Sequence, residues 1–157
     1  MLPPFTAEGL LPAGDYPLTL DDLRGSMLVS GPPDLVAARQ WDQQWRTQLV
    51  ENLAVLVQQL WQVGVERIFI DGSFVEDKPR PGDIDGYFEC TLQALVSGTL
   101  ARDLNTLAGM PVWDWTARVP DPNSTKQQLL MWERYRVELY PRVSSESSDQ
   151  RRVSRCR

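Results

Sequence analysis

The stretch Arg67-Ile68-Phe69-Ile70-Asp71-Gly72-Ser73-Phe74-Val75-Glu76-Asp77-Lys78-Pro79-Arg80-Pro81-Gly82-Asp83-Ile84-Asp85-Gly86-Tyr87-Phe88-Glu89-Cys90 decides the fold. Residues 67–71 and 84–90 are short runs rich in β-branched and aromatic residues, the composition of a buried strand. Gly72-Ser73 stops the first run, and the prolines of the intervening segment forbid a long helix between the two. Upstream, Ala38, Trp41, Trp45, Leu49, Leu53, Leu56 and Leu60 recur every three or four residues. That period predicts a long amphipathic helix, capped by Asp34 and stopped by Gly64. Its tryptophans read as core. Gln40, Gln43, Gln44, Arg46 and Gln58 read as its solvent side.

Downstream, Thr91 caps a predicted helix with Leu92, Leu95, Val96, Leu100, Leu104 and Leu107 on one side, ending near Gly109. Residues 112–115 read as a strand, and Ser124 or Thr125 as the start of a helix through Met131. Residues 135–140 read as a strand stopped by Pro141. These elements predict an α+β (α/β-like) fold, a small mixed β-sheet flanked by helices. Residues 1–33, with six prolines and four glycines, form an extended arm packed on the domain, with a short helix capped by Thr19. Residues 34–141 are the domain, and residues 142–157 a polar, basic, flexible tail.

Composition narrows the chemistry. The 157 residues carry a net charge of -5 and no histidine. A chain this long buries roughly 70% of its unfolded surface. Without histidine there is no Ser-His-Asp triad, no Cys-His pair and no imidazole metal ligand. Cys90 and Cys156 are too few for a disulfide framework or a zinc site. No apolar run reaches the roughly 18 residues of a membrane span, and the N-terminus lacks a signal-peptide pattern. A cytoplasmic location is therefore expected. The acidic balance and the lack of an extended basic stripe argue against a stand-alone nucleic-acid binder.

The chemistry concentrates in the opening stretch. Gly72-Ser73 ends a strand, where a missing side chain lets a ligand approach the backbone, so N–H groups and a hydroxyl can meet a phosphate. Asp83 and Asp85 stand two apart on a strand, so both carboxylates face one side while Ile84 faces the core. Paired carboxylates repel unless a cation lies between them, and oxygen ligands without His or Cys select Mg²⁺ or Mn²⁺. Lys78 and Arg80, in the intervening loop, could reach triphosphate oxygens. For Arg80 a solvated turn is the simpler expectation, and Asp71 and Asp77 read as turn or outer carboxylates.

Gly-Ser followed after about ten residues by Asp-x-Asp resembles the signature of the DNA polymerase beta-like nucleotidyltransferase superfamily, above all its short prokaryotic minimal members. Gly72-Ser73-Phe74-Val75, Lys78, Pro81 and Asp83-Ile84-Asp85, with Leu2-Pro3-Pro4-Phe5 and Gly9-Leu10-Leu11-Pro12-Ala13-Gly14, are similar to an uncharacterised bacterial branch of it. The resemblance implies a nucleotidyltransferase-type fold, with Gly72 and Ser73, and with them Lys78, on the phosphates of a nucleoside triphosphate such as ATP. It implies metal ligation by Asp83 and Asp85 and a third carboxylate on a later strand. Glu138 is the first choice for that carboxylate and Asp114 its competitor.

The expected function is metal-dependent transfer of a nucleoside monophosphate to a hydroxyl on protein, RNA or a small molecule. The alternative is a catalytically weak or inactive nucleotidyltransferase-like module that acts through a protein partner, such as an antitoxin. The chain covers little more than a catalytic core, so a protein partner or acceptor is expected under both readings.

Overall fold

A computed structural model describes residues 1–34 and 39–144. In order they form α1 (Leu20–Arg24), α2 (Met27–Ser30), α3 (Gln43–Gln62), β1 (Ile68–Asp71), a 3-10 turn (Gly72–Val75) and β2 (Ile84–Cys90). Then come α4 (Leu92–Val96), α5 (Thr99–Ala108), β3 (Val119–Pro120), β4 (Gln127–Gln128), α6 (Leu130–Tyr135) and β5 (Val137–Val143). The fold is α+β. Its main sheet has three strands in the order β1-β2-β5, with β1 antiparallel and β5 parallel to the central β2. The sheet is therefore mixed, as expected. Among the described residues no helix is long and apolar enough to cross a membrane.

One face of the sheet and one face of α3 make the core. Ile84, Phe88, Val137 and Leu139 are buried together with Leu49, Leu53, Leu56 and Leu60. Gly86 faces this side because nothing larger fits, since a Cβ there would lie 2.3 Å from the Phe69 carbonyl oxygen. Residues 1–33 are bound into the same core. Leu23, Leu28 and Val29 are buried in it, and Leu2, Phe5, Leu18 and Leu20 pack against it. Thr19 caps α1 in a reciprocal box with Asp22.

Several elements depart from their sequence readings. The long helix starts at Gln43, where the Asp42 carboxylate accepts from the Trp45 N–H; Asp34 does not cap it. Trp41 lies before the helix, buried, with its indole N–H donating to the Val29 carbonyl. Ala38 lies outside the described residues, as do residues 145–157 of the basic tail, Cys156 included. The helix after Thr91 is two helices, broken where Gly98 takes φ +75°. Leu92 and Val96 of the first are exposed.

Residues 112–115 form no strand. The Asn105 amide accepts from the Trp113 N–H and donates to the Trp113 carbonyl, the pair of bonds a neighbouring strand would have supplied. Neither Ser124 nor Thr125 opens a helix. Asp121 instead accepts from the Asn123 N–H and the Ser124 hydroxyl, and this turn closes the small β3–β4 hairpin. Pro141 does not stop the last strand; it pairs in register with Phe88. β5 is an edge strand, and Leu139 already sends its N–H away from β2, toward the Met131 sulfur. Pro141, two residues on, holds the next such outward position, where no ladder donor is lost.

Candidate functional site

The face of the sheet opposite the core carries the polar chemistry. Asp71 on β1 is in register with Asp85 on β2, and Asp85 with Glu138 on β5. One row across three strands therefore consists of carboxylates, and Asp83 lies two residues before Asp85 on the same side. Burial drives the Asp85 carboxyl up to about 6, helped by the like charges of Asp83, Glu138 and Asp71, with Lys126 opposing. Crowding of this kind, at a half-buried position on a central strand, opposes folding and is characteristic of sites that bind cations or move protons.

The row continues into the turn that follows β1. Gly72 has φ +69°, and a Cβ on it would stand 2.8 Å from Asp85 Oδ2. Only glycine brings the turn's backbone this close to a carboxylate, and the vacant Cβ volume lies beside the carboxylates. Ser73 follows, half-buried, in the 3-10 turn.

Each carboxylate has a defined holder. Asp83 Oδ2 accepts from the Trp132 indole N–H at 2.9 Å. Glu138 is only 5% exposed; its Oε1 accepts from the Leu129 N–H at 2.9 Å and its Oε2 from the Tyr140 hydroxyl at 2.7 Å. Burial and that bond to Glu138 push the Tyr140 phenol up to about 12. A carboxylate offers about four acceptor positions, so Glu138 keeps capacity for another donor. Asp114 stands elsewhere, as the cap of a turn, accepting from the Thr116 N–H and hydroxyl and the Ala117 N–H. The sheet register brings Glu138, and not Asp114, beside Asp85.

The loop between turn and carboxylates is clamped by a residue that periodicity had assigned to solvent. Arg46 on α3 is fully buried. It donates to the carbonyls of Leu28 (2.7 Å), Phe74 (2.8 Å), Glu76 (3.3 Å) and Lys78 (2.5 Å), with its guanidinium 3.9 Å from the Trp41 ring centre. The arm adds a second clamp, since the Asp77 N–H donates to the Gly9 carbonyl and Leu10 bridges Glu76. Arg80 is ion-paired with Asp42 and lies over the Trp45 ring, while the Trp45 indole donates to the Pro81 carbonyl.

Lys78 is exposed in this loop. The cation whose charge reaches Asp85 is Lys126, three residues before the Leu129 N–H that binds Glu138. Sequence reasoning missed Lys126, Trp132, Tyr140 and Arg46. Only Tyr140 carried a legible signal, its two-residue offset from Glu138 on one strand face.

Among the described residues, no three Asp, Glu, Cys or His side chains are gathered closely enough to hold a metal ion by themselves. The donor set that does converge is all hard oxygen. Such a set suits Mg²⁺ or Mn²⁺, which take one or two carboxylates and complete their shell with phosphate oxygens and water.

The chain belongs to the DUF6932 family, a family of unknown function, which matches it over residues 3–155. No curated protein and no solved structure matches it.

Proposed function

We propose that this protein is a nucleotidyltransferase that moves a nucleoside monophosphate from a nucleoside triphosphate to a hydroxyl acceptor, with Mg²⁺ or Mn²⁺ held by Asp83 and Asp85. The observation that carries the proposal is the in-register row Asp71–Asp85–Glu138 with the Gly72-Ser73 turn packed against its central member. Gly72 and Ser73 present backbone N–H groups and a hydroxyl to the β- and γ-phosphates, and Lys78 and Lys126 supply positive charge. The acceptor oxygen bonds to the α-phosphorus as the bond to the α,β-bridging oxygen breaks. Pyrophosphate departs with that electron pair, and the hydroxyl proton passes to Glu138 on the edge strand. Asp83 and Asp85 would hold the divalent ion, which would supply neutralisation of the charge that develops on the transferring phosphate.

The test is transfer of label from α-phosphate-labelled ATP, GTP, CTP or UTP to a panel of sugar phosphates, nucleosides, RNA and protein. Transfer by the wild type that Asp83→Asn abolishes supports the assignment; transfer that survives Asp83→Asn refutes it.

One observation favours a second reading. Both oxygens of Glu138 are already engaged, which fits a module that binds nucleotide without turnover and works through a protein partner, such as an antitoxin. Metal-dependent nucleotide binding without transfer to any acceptor, together with a stable copurifying protein, supports that reading. Turnover by the isolated chain refutes it.

A further inference from the structure

Each strand meets this end of the sheet differently. β1 runs out into Gly72-Ser73, β2 is entered through Gly82 and Asp83, and β5 through Arg136. The order β1-β2-β5 places the carboxylates of β2 between the Gly-Ser turn on one side and Arg136 on the other. Strands lie roughly 4.8 Å apart, so those two flanks are separated by about 10 Å.

On the Arg136 side opens a cleft of about 290 Å³ lined by Trp45, Arg80, Pro81, Gly82, Asn123 and Arg136. Arg136 is the one described residue other than glycine at positive φ, 53°. Such a conformation is strained for an ordinary side chain and persists where the surroundings impose it. Its guanidinium lies 3.8 Å from the ring centre of Trp132, the residue whose indole holds Asp83. Stacking occupies the guanidinium face and leaves the in-plane N–H groups, which have no hydrogen-bond acceptor among the described residues. The Asp121 carboxylate feels the Arg136 charge, but its oxygens accept from Asn123 and Ser124. Arg80 spends one nitrogen on Asp42 and keeps the rest of its fork.

We infer that this cleft is the acceptor subsite and that it takes a phosphate group on a small acceptor molecule, a phosphomonoester that also bears the reacting hydroxyl. The inference rests on the transferase reading for the word acceptor, and on the cleft alone for anion binding. The unbonded N–H groups of Arg136 and the rest of the Arg80 fork, whose charges Asp121 and Asp42 partly offset, come from separate elements and offer the planar, two-pronged geometry that a phosphate accepts. The volume suits a group of sugar-phosphate size, and two cations on a chain of net charge -5 do not make the basic stripe a polymer needs. Asn123, in the lining, offers an amide to a hydroxyl.

The experiment titrates ribose 5-phosphate, inorganic phosphate and ribose into the 157-residue chain in EDTA at constant ionic strength, without nucleotide. Binding is read from the indole N–H resonances of Trp45 and Trp132. Saturable shifts with both phosphates and none with ribose are expected. Arg136→Asn keeps a residue that tolerates positive φ while removing the charge, and should weaken binding at least fivefold, as should Arg80→Gln. Arg67→Gln, at the far end of the sheet, should leave it unchanged.

Shifts that do not saturate, or that persist in both arginine variants, overturn the inference. So does displacement of ribose 5-phosphate by metal-free ATP at equal affinity, which would give the cleft to the nucleotide. Because no metal is present, failure here leaves the carboxylate assignment standing. Failure of metal-dependent nucleotide binding, in turn, leaves the cleft an anion site.

Discussion

Replacing Arg46 with methionine should destabilise the protein by about 3–4 kcal/mol, although the site is remote from solvent and methionine is of similar length. The Leu28 and Phe74 carbonyls are buried where Arg46 reaches them, and each loses its donor, at about 1–3 kcal/mol apiece. The Glu76 and Lys78 carbonyls are only partly buried and can turn to water, so they add roughly 0.5 kcal/mol each. Two effects oppose this. Methionine keeps much of the contact with Trp41 and Phe74. The guanidinium also sits at a cost, since burial pushes it down to about 10 and its Nε has no partner among the described residues. Urea unfolding followed by tryptophan fluorescence measures the difference directly. Arg46→Lys is the informative companion: it retains charge but can satisfy fewer carbonyls, so it should lose at least 2 kcal/mol. If both variants stay within about 1 kcal/mol of the wild type, the four carbonyl contacts are not what holds the 74–78 loop.

In metal-free protein Asp85→Asn should be stabilising at pH 7.5, by about 1–2 kcal/mol after allowing for solvent screening, or a Tm rise of roughly 2–6 °C. The sign follows from a folded-state pKa raised from 3.8 to about 6: the ionised carboxylate penalises the fold above pH 6, and the gain should fade as pH drops from 6 toward 4. A thermal melt across that range in EDTA checks it; no stabilisation at pH 7.5 would contradict the crowding described for the row. Gly72→Ala, forced to φ +69° with its Cβ 2.8 Å from Asp85 Oδ2, should cost about 1–3 kcal/mol and weaken nucleotide binding at least tenfold. Unfolding and titration of that one variant test both parts, and wild-type affinity would exclude the turn from the site.

What the sequence shows plainly is local. The β-former runs around Gly72-Ser73 and Asp83-Ile84-Asp85 became β1, the turn and β2 because strand composition, a glycine with positive φ and two-residue alternation are properties of neighbouring residues. Glu138 enters only as the first choice for the third carboxylate that the resemblance implies, and it is the sheet register that sets it beside Asp85. What stayed hidden is long-range. Arg46 sits at a position whose charge reads as solvent-facing, and only the return of the 74–78 loop supplies the carbonyls that bury it. Residues 112–115 have strand composition but meet an asparagine instead of a strand. The Arg136 cleft is assembled from α3, the loop before β2, the β3–β4 turn and the entry to β5, four places with no shared period.

Calorimetric titration of ATP, GTP, CTP and UTP into the wild type and the Asp83→Asn/Asp85→Asn double variant, first with Mg²⁺ and then with EDTA, tests the central claim most directly. The expected result is binding of at least one nucleotide that requires the metal and is lost in the variant, with the variant's melting temperature no lower than the wild type's. Binding that survives both EDTA and the double substitution would place the nucleotide elsewhere. No binding of any nucleotide with Mg²⁺ would remove the transferase reading altogether.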